Sequence, residues 1–194
     1  MRTIGDGYLA ACGLGRAFGD KADARCHASR ALAFACDSLS MVSQCTWGEG
    51  AERRKVRMRA GVHAGEVFSG VVGFMQPQYD LFGHPVNAAA RLEQTAPVNT
   101  VQASTATVAL ARREARREAK LDSDYICPKF RYKRRPGVIE MKNMEPMATC
   151  LVSRIPFGDH EDGGDDGGED GVGEGREGDG AEDERAEGVG SGRE

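Results

Sequence analysis

The chain has 194 residues, of which 40% are hydrophobic, and this is enough for one domain with a modest core. Charge is unevenly spread, because residues 158–194 carry a net charge of −12 and residues 1–157 carry +8, for a total of −4. A Gly/Asp/Glu tract buries too little apolar surface to offset the entropy of ordering it. We therefore predict a folded domain over 1–157 and a disordered acidic tail over 158–194.

The cysteine pattern and the first residues argue against a zinc site, a redox motif and a secreted protein. Six cysteines stand at positions 12, 26, 36, 45, 127 and 150, without a CxxC pair or histidines at zinc-finger spacing. The first residues lack a signal-peptide pattern, and no apolar run is long enough to span a bilayer. These features predict reduced thiols and a cytoplasmic location. A membrane association would require an anchor upstream of Met1.

The first half of the chain alternates short strands with one helix. Residues 1–12 predict two strands joined at Gly5-Asp6-Gly7, where glycine permits a tight turn. Apolar residues at spacings of three and four predict an amphipathic helix within 20–45. Residues 56–62 and 67–73 alternate as strands do, and we expect them to form a hairpin.

The second half begins with a strand at 79–82, followed by Gly83 and a helix that starts near Pro85 and runs to about Thr95. A strand at 100–103 precedes Ser104, a candidate N-cap of the next helix.

That next helix contains the duplication ARREARREAK, which we interpret as a charged, largely solvated extension. The basic stretch over about 111–136 resembles an insertion, irregular from 121 to 136, and two last strands are expected at 138–141 and 149–153. The predicted fold class is α+β, a mostly antiparallel sheet with helices packed on it.

Three segments carry candidate chemistry. Asp6 lies at a strand turn, where a carboxylate is exposed and can bind a hard cation or accept hydrogen bonds from its own backbone. Residues 59–73 contain glycines that allow close backbone approach, and His63 there is interpreted as structural.

The third segment places Asn87 and Arg91 four residues apart near the start of a helix, and hence on one face. An amide beside a guanidinium can hold a nucleotide, with the arginine meeting phosphate oxygens. Alternatively, Arg91 is a surface residue paired with Glu93 or Glu66.

Together, TIGDGYLAA-GL, RAGVHAGEVFSGVVG and QYDLFGHPVNAAARLE resemble three successive signatures of class III adenylyl and guanylyl cyclase catalytic domains. The resemblance covers residues 1 to about 106 and resumes weakly at 138–152. It implies the nucleotide cyclase, ferredoxin-like α+β fold and a homodimer or cyclase-domain heterodimer with sites shared between subunits. The implied reaction converts a nucleoside triphosphate to a cyclic nucleotide and pyrophosphate with Mg²⁺ or Mn²⁺.

The resemblance also implies roles for individual residues. Asp6 matches the second metal-binding aspartate, and Asn87 and Arg91 match the pair that orients the ribose and stabilises the transition state. Asp80 matches a base-selecting position, which is Asp in adenylyl cyclases and commonly Cys in guanylyl cyclases. Lys142 matches a lysine that meets the terminal phosphates.

Several departures bear on activity. Arg2 stands at the other base-selecting position, which is Lys in adenylyl and Glu in guanylyl enzymes. With Asp80 it favours ATP, but its forked guanidinium can also donate to the guanine 6-oxygen. Met144 replaces a second phosphate-binding lysine. Family domains begin with a strand that bears the first metal-binding aspartate, followed by two helices, and nothing here precedes Met1. We therefore expect an N-terminally truncated domain.

Two functional hypotheses follow. The first is an ATP-preferring cyclase domain, and the second is an inactive pseudo-cyclase that binds nucleotide or regulates an intact subunit. A nucleic-acid partner is not expected, because the sequence lacks an aromatic platform or recognition motif, and the ARRE repeats balance much of their charge with glutamate.

Overall fold

The structure is a computed structural model, which describes residues 2–14, 26–121, 128–141 and 144–155. The chain divides into two units, Met1–Asp159 and His160–Glu194, and all the described residues belong to the first. The predicted tail at 158–194 therefore lies outside the described residues and stays a prediction.

Ten strands and three α-helices follow one another along the described residues. In chain order they are β1 (Arg2–Ile4), β2 (Gly7–Leu9), α1 (His27–Ser43), β3 (Thr46–Trp47), β4 (Arg54–Lys55), β5 (Ala60–Val62), β6 (Phe68–Val72), β7 (Gln78–Phe82), α2 (His84–Thr95), β8 (Val101–Ser104), α3 (Thr105–Leu121), β9 (Phe130–Met141) and β10 (Met144–Arg154). A single 3₁₀ turn, Gly50–Glu52, separates β3 from β4. The predicted α+β class is confirmed.

A four-stranded sheet forms the centre, with the strand order β5-β8-β10-β9. Only β5 and β8 run parallel within it, and the other two pairings are antiparallel. Among the described residues, three further strand pairs form two-stranded hairpins outside this sheet: β1–β2, β3–β4 and β6–β7. The expectation of a mostly antiparallel sheet is therefore confirmed.

Helices cover both faces of the sheet. Leu32 of α1 and Val108 of α3 share one buried cluster with Val62, Val101 and Val152 of the strands. On the opposite face, Gly61 lies against the backbone of α2. Alternation along the strands places neighbouring residues on opposite faces, so the core lies between the sheet and the α1–α3 layer.

The structure corrects the predicted hairpin over 56–62 and 67–73. β5 pairs in parallel with β8, whereas β6 pairs antiparallel with β7. Local alternation indicates that a segment is a strand but does not choose its partner. β5 lies in the central sheet, where Val62 contributes to the core. β6 lies outside that sheet, and most of its residues are exposed.

A second correction concerns the segment predicted to be irregular from 121 to 136. From Phe130 onward it is regular strand, and Phe130 and Tyr132 face the core while the intervening cation is exposed. The density of basic residues masks this alternation in the sequence. Residues 122–127 lie outside the described part of the chain.

The predicted helix starts and ends are confirmed where the structure describes the residues concerned. Pro85 lies in the first turn of α2, which ends at Thr95. The Ser104 hydroxyl oxygen accepts a hydrogen bond from the Thr107 backbone N–H at 3.2 Å and so caps α3. The helix predicted within 20–45 begins at His27 in the described residues and ends at Ser43.

Candidate functional site

One continuous strand–helix unit carries three of the predicted site residues. Asp80 lies in β7, and Asn87 and Arg91 lie one turn apart on α2. Gly83 joins the two elements with φ of 133°, a conformation that L side chains rarely adopt. Both α2 side chains are exposed, so their predicted placement on one accessible helix face is confirmed.

The described residues hold the Arg91 guanidinium at one nitrogen, Nε. Its Nε donates to the Glu140 carbonyl oxygen at 3.4 Å, a long and therefore weak hydrogen bond. Within the described part of the chain, its terminal amino groups have no partner, and Asn87 has none either. Neither alternative partner of Arg91, Glu93 or Glu66, pairs with it among the described residues, where Glu93 pairs instead with Arg59 at 2.9 Å.

Asp80 is half-buried beside an open position. Its Oδ1 accepts a hydrogen bond from the Leu81 backbone N–H at 2.9 Å, which fixes the carboxylate. Its direct partner across the hairpin is Gly70, where an added Cβ would meet nothing within 4 Å. Because paired residues project to the same face of a hairpin, this leaves room for a ligand next to the carboxylate.

Asp6 lies apart from this unit, at the turn between β1 and β2. The preceding Gly5 has φ of 61°, which a tight turn requires, and the Asp6 side chain is exposed. Tyr8 of this hairpin meets Phe34 of α1 edge-on, with ring centroids 6.1 Å apart. No hydrogen bond or ion pair in the described residues engages the Asp6 carboxylate.

The metal predicted at Asp6 would find one suitable ligand there, since carboxylate oxygens bind Mg²⁺ and Mn²⁺. Among the described residues, no group of three or more His, Cys, Asp or Glu side chains could hold a metal ion. Asp6 can therefore contribute to a site but does not form one with the described residues of the same chain.

Two predicted site residues lie at or beyond the limits of the described residues. The backbone of Arg2 forms part of β1, paired with Leu9, but its side chain is outside the described part. Lys142 lies wholly outside the described residues. Their assignment to the base and the terminal phosphates stays a prediction.

His63 has the surroundings of a structural residue. Its Nδ1 lies 2.9 Å from the Ser104 hydroxyl oxygen, and that hydroxyl lies 2.7 Å from the Thr107 hydroxyl. Burial lowers the pKa of His63 from 6.5, which favours the neutral imidazole. This chain of hydrogen bonds links the end of β5 to the start of α3.

Sequence reasoning missed a residue that supports the site. The Arg135 guanidinium donates to the Thr95 carbonyl oxygen at 3.0 Å and also to Gln102 Oε1. It therefore fixes β9 to the last turn of α2. The signal that could have located this strand is the apolar–basic alternation of residues 130–133, which the surrounding basic residues obscured.

An exposed apolar patch covers the β6–β7 hairpin and its connection. Phe68 is 78% exposed and Phe74 is 98% exposed. Val71, Val72 and Met75 are also exposed. Large contiguous apolar surfaces are uncommon on monomeric soluble proteins and mark interaction sites.

Comparison with known proteins bears on this arrangement. A family model described as "Adenylate and Guanylate cyclase catalytic domain" matches residues 1–153. Retinal guanylyl cyclase 2 of Rattus norvegicus is 38% identical over 112 residues, which are 58% of this chain and 10% of the relative. A germination-specific adenylate cyclase of Dictyostelium discoideum is 31% identical over 134 residues, 69% of this chain and 15% of the relative.

Among solved structures, the guanylate cyclase domain of RhGC from Catenaria anguillulae, in complex with GTP, aligns with a TM-score of 0.51 and 25% identity. The alignment covers 71% of this chain and 65% of that one. The chain thus spans only about a tenth to a seventh of the lengths of the two curated relatives. In the described residues, no helix is both long enough and apolar enough to cross a bilayer.

Proposed function

The chain belongs to the adenylate and guanylate cyclase catalytic domain family, and from this premise we propose that it converts a nucleoside triphosphate, ATP in preference to GTP, to a 3′,5′-cyclic nucleotide and pyrophosphate. The proposal also covers a role in cytoplasmic signalling. The chain's relatives include both guanylyl and adenylyl cyclases, so the preference for ATP is argued from this chain's own residues.

The observation that carries the proposal is that the Arg91 guanidinium is exposed and has unused hydrogen-bond donors among the described residues. This guanidinium is exposed one helical turn beyond Asn87, and among the described residues it is anchored through Nε alone. The remaining donors suit a phosphate, because a guanidinium meets phosphate oxygens with charge-assisted, paired hydrogen bonds. In cyclisation, this contact would stabilise the charge that develops as the ribose 3′-hydroxyl attacks the α-phosphate and pyrophosphate departs. Asn87 would orient the ribose.

The preference for ATP rests on Asp80. An ionised carboxylate only accepts hydrogen bonds, so it fits the adenine 6-amino group and repels the guanine 6-oxygen. The open position at Gly70 gives a base access to this carboxylate. Arg2, a donor at the second base-selecting position, is consistent with the same choice.

A divalent cation, Mg²⁺ or Mn²⁺, is the proposed cofactor, with Asp6 as one protein ligand and the triphosphate as a source of further oxygens. When bound, it would neutralise phosphate charge. Lys142 is proposed to contact the terminal phosphates, as a point charge.

A second cyclase domain, in a homodimer or heterodimer, is the proposed macromolecular partner. The apolar patch on the β6–β7 hairpin supports this, because Phe68 and Phe74 would be removed from water in a complex. Asp6 lies on the β1–β2 hairpin and Arg91 lies on α2, and no hydrogen bond or ion pair joins the two side chains in the described residues. A shared site would allow residues of two chains to meet on one nucleotide.

The alternative is a pseudo-cyclase that binds nucleotide or regulates an active subunit without turnover. Met144 favours it, since a thioether stands where the family has a second phosphate-binding lysine, which weakens charge neutralisation.

The test measures cyclic nucleotide formation and nucleotide binding by the full chain. ATP and GTP are supplied in turn with Mg²⁺ or Mn²⁺, and binding is followed by calorimetry. Asp6→Asn and Arg91→Gln are each expected to lower activity by at least about 100-fold, as loss of one charge-stabilising group does. Arg57→Gln is the matched control, because Arg57 is exposed and outside the proposed site.

Three outcomes are distinguished. Product formation that depends on Asp6 and Arg91 supports the cyclase. Nucleotide binding that depends on Arg91 but gives no product supports the pseudo-cyclase. Absence of product, with ATP binding that neither variant alters, contradicts both. Asp80→Cys should shift preference from ATP toward GTP, and an unchanged ratio would remove Asp80 from base selection.

A further inference from the structure

The ARREARREAK duplication separates its charges onto two sides of α3. The Glu114 carboxylate faces α1, where it accepts hydrogen bonds from the backbone N–H groups of Ala28 and Ser29, each at 3.1 Å. Glu114 is half-buried, and Glu118, one turn later, is buried. The glutamates that balance the arginines in the sequence are therefore absent from the outer surface of this helix.

The outer surface of α3 is a stripe of four cations, Arg113, Arg116, Arg117 and Lys120. All four are exposed, and their spacing of three and four residues confines them to an arc of about 100° opposite the buried face. None of the four has an ion pair or hydrogen bond in the described residues. Like charges at this spacing repel, so the stripe weakens the isolated helix and would be stabilised by an opposing anionic surface.

The cationic surface continues beyond the stripe. The Arg112 guanidinium carbon lies 4.8 Å from the centroid of the Tyr132 ring, which joins α3 to β9. Arg134 is exposed on β9, and together with Arg112 it lies close enough to oppose the burial that raises the pKa of Cys150. This surface belongs to the α1–α3 layer, on the opposite side of the sheet from α2.

We propose that the stripe on α3 attaches this domain reversibly to the surface of an anionic phospholipid bilayer. The helix face is convex, so a flat surface can meet all four cations at once. Attraction is expected to be electrostatic and salt-sensitive, because the stripe has no large apolar side chain to insert between lipids. Attachment through this layer leaves Asn87 and Arg91 on the opposite side.

A bilayer fits these features better than a nucleic acid does. Single strands are bound in grooves lined by stacking aromatic rings. The Tyr132 ring, which packs against α3, is already covered by Arg112. The net charge of the full chain, −4, would not draw it to an anionic surface. Attachment must therefore depend on the local stripe, and stripe variants can test it.

The experiment is co-sedimentation of the full chain with vesicles of phosphatidylcholine alone or with about 30% phosphatidylserine, at low salt and at about 0.15 M salt. The stripe variant is Arg113→Gln, Arg116→Gln, Arg117→Gln and Lys120→Gln combined. A control of equal net charge combines Arg54→Gln, Lys55→Gln, Arg57→Gln and Lys129→Gln, which are exposed in the structure but outside α3. Circular dichroism checks that both variants remain folded.

The full chain is expected to bind the anionic vesicles, not the neutral ones, and to lose partitioning as salt rises. The stripe variant should bind at least about tenfold more weakly, while the control changes little, since each cation near the surface contributes separately. Failure to bind anionic vesicles at low salt overturns the proposal, and so does an equal loss in the control. Tighter binding to a single- or double-stranded oligonucleotide, lost in the stripe variant, would replace the bilayer by a nucleic acid.

Discussion

Gly61 of β5 lies directly against the backbone of α2, such that a methyl group at this position would stand 2.2 Å from the Ala89 carbonyl oxygen. The same methyl group would stand 2.3 Å from the Glu93 backbone nitrogen. Neither atom belongs to a flexible side chain, so the sheet and the helix can approach this closely only with glycine at residue 61. The contact sets the position of the helix that carries Asn87 and Arg91.

The first prediction is that Gly61→Ala destabilises the domain by about 1–3 kcal/mol, because the added methyl overpacks the interface with α2. Urea unfolding measures the change. Gly70→Ala is the matched control and should alter stability little, since its new Cβ would meet nothing within 4 Å. Equal destabilisation by the two substitutions would contradict the role of Gly61 as a close-approach site.

The second prediction concerns the carboxylate that caps α1 from another helix. Glu114→Gln should cost about 1 kcal/mol of stability, because the charge-assisted hydrogen bonds to Ala28 and Ser29 at the positive end of the helix dipole are weakened. Glu145→Gln, an exposed glutamate on β10, serves as the control for charge removal. Thermal unfolding compares the two, and a midpoint for Glu114→Gln no lower than that of the control would count against the cap.

The third prediction is a pH dependence due to His63. Burial lowers its pKa in the folded state below 6.5, so well above pH 6.5 the imidazole is neutral in both states and leaves the free energy of unfolding unchanged. As the pH falls below 6.5, the unfolded chain binds the proton first and folding stability declines. His63→Gln removes this term, so its loss of stability between pH 7.5 and pH 5.5 should be smaller than that of the unsubstituted chain. Parallel stability profiles for the two proteins would refute the assignment.

The fourth prediction separates the cysteines by reactivity. Burial, assisted by the charge of Asp37, raises the pKa of Cys36 to about 11, and burial also raises the pKa of Cys150. Since the thiolate is the nucleophile, iodoacetamide at pH 8 should alkylate exposed Cys12 and Cys45 well before these two. Mass spectrometry of peptides measures the order. Equal labelling in the folded protein, rather than only in urea, would be inconsistent with a buried Cys36.

The sequence predicted the local features of the candidate site. Glycines around Asp6 indicated the β1–β2 turn, and the Gly83–Pro85 junction indicated where α2 begins, so the shared face of Asn87 and Arg91 followed from helical spacing alone. These features depend on interactions within a few residues. Roles in nucleotide and metal binding remain predictions that the experiments above address.

Partners distant in sequence could not be predicted in this way. The strand at β5 was recognised in part, but its pairing with β8 depends on Val62 joining a core assembled from α1, α3 and β10. Likewise, the sequence showed that ARREARREAK is charged, but it did not show which of its side chains face the core and which face solvent. Glu114 turns inward because the N-terminus of α1, more than 80 residues earlier, needs acceptors for its backbone N–H groups.

The amino-acid sequence by itself determined the family signatures, the Asp6 turn and the helix face of Asn87 and Arg91, because turns and helices are specified by residues that are neighbours along the chain. Only the tertiary structure decided the strand order, the close contact at Gly61 and the exposure of a purely cationic stripe on α3. These properties arise from packing between segments far apart in sequence, where each surface is buried or exposed according to the partner it meets.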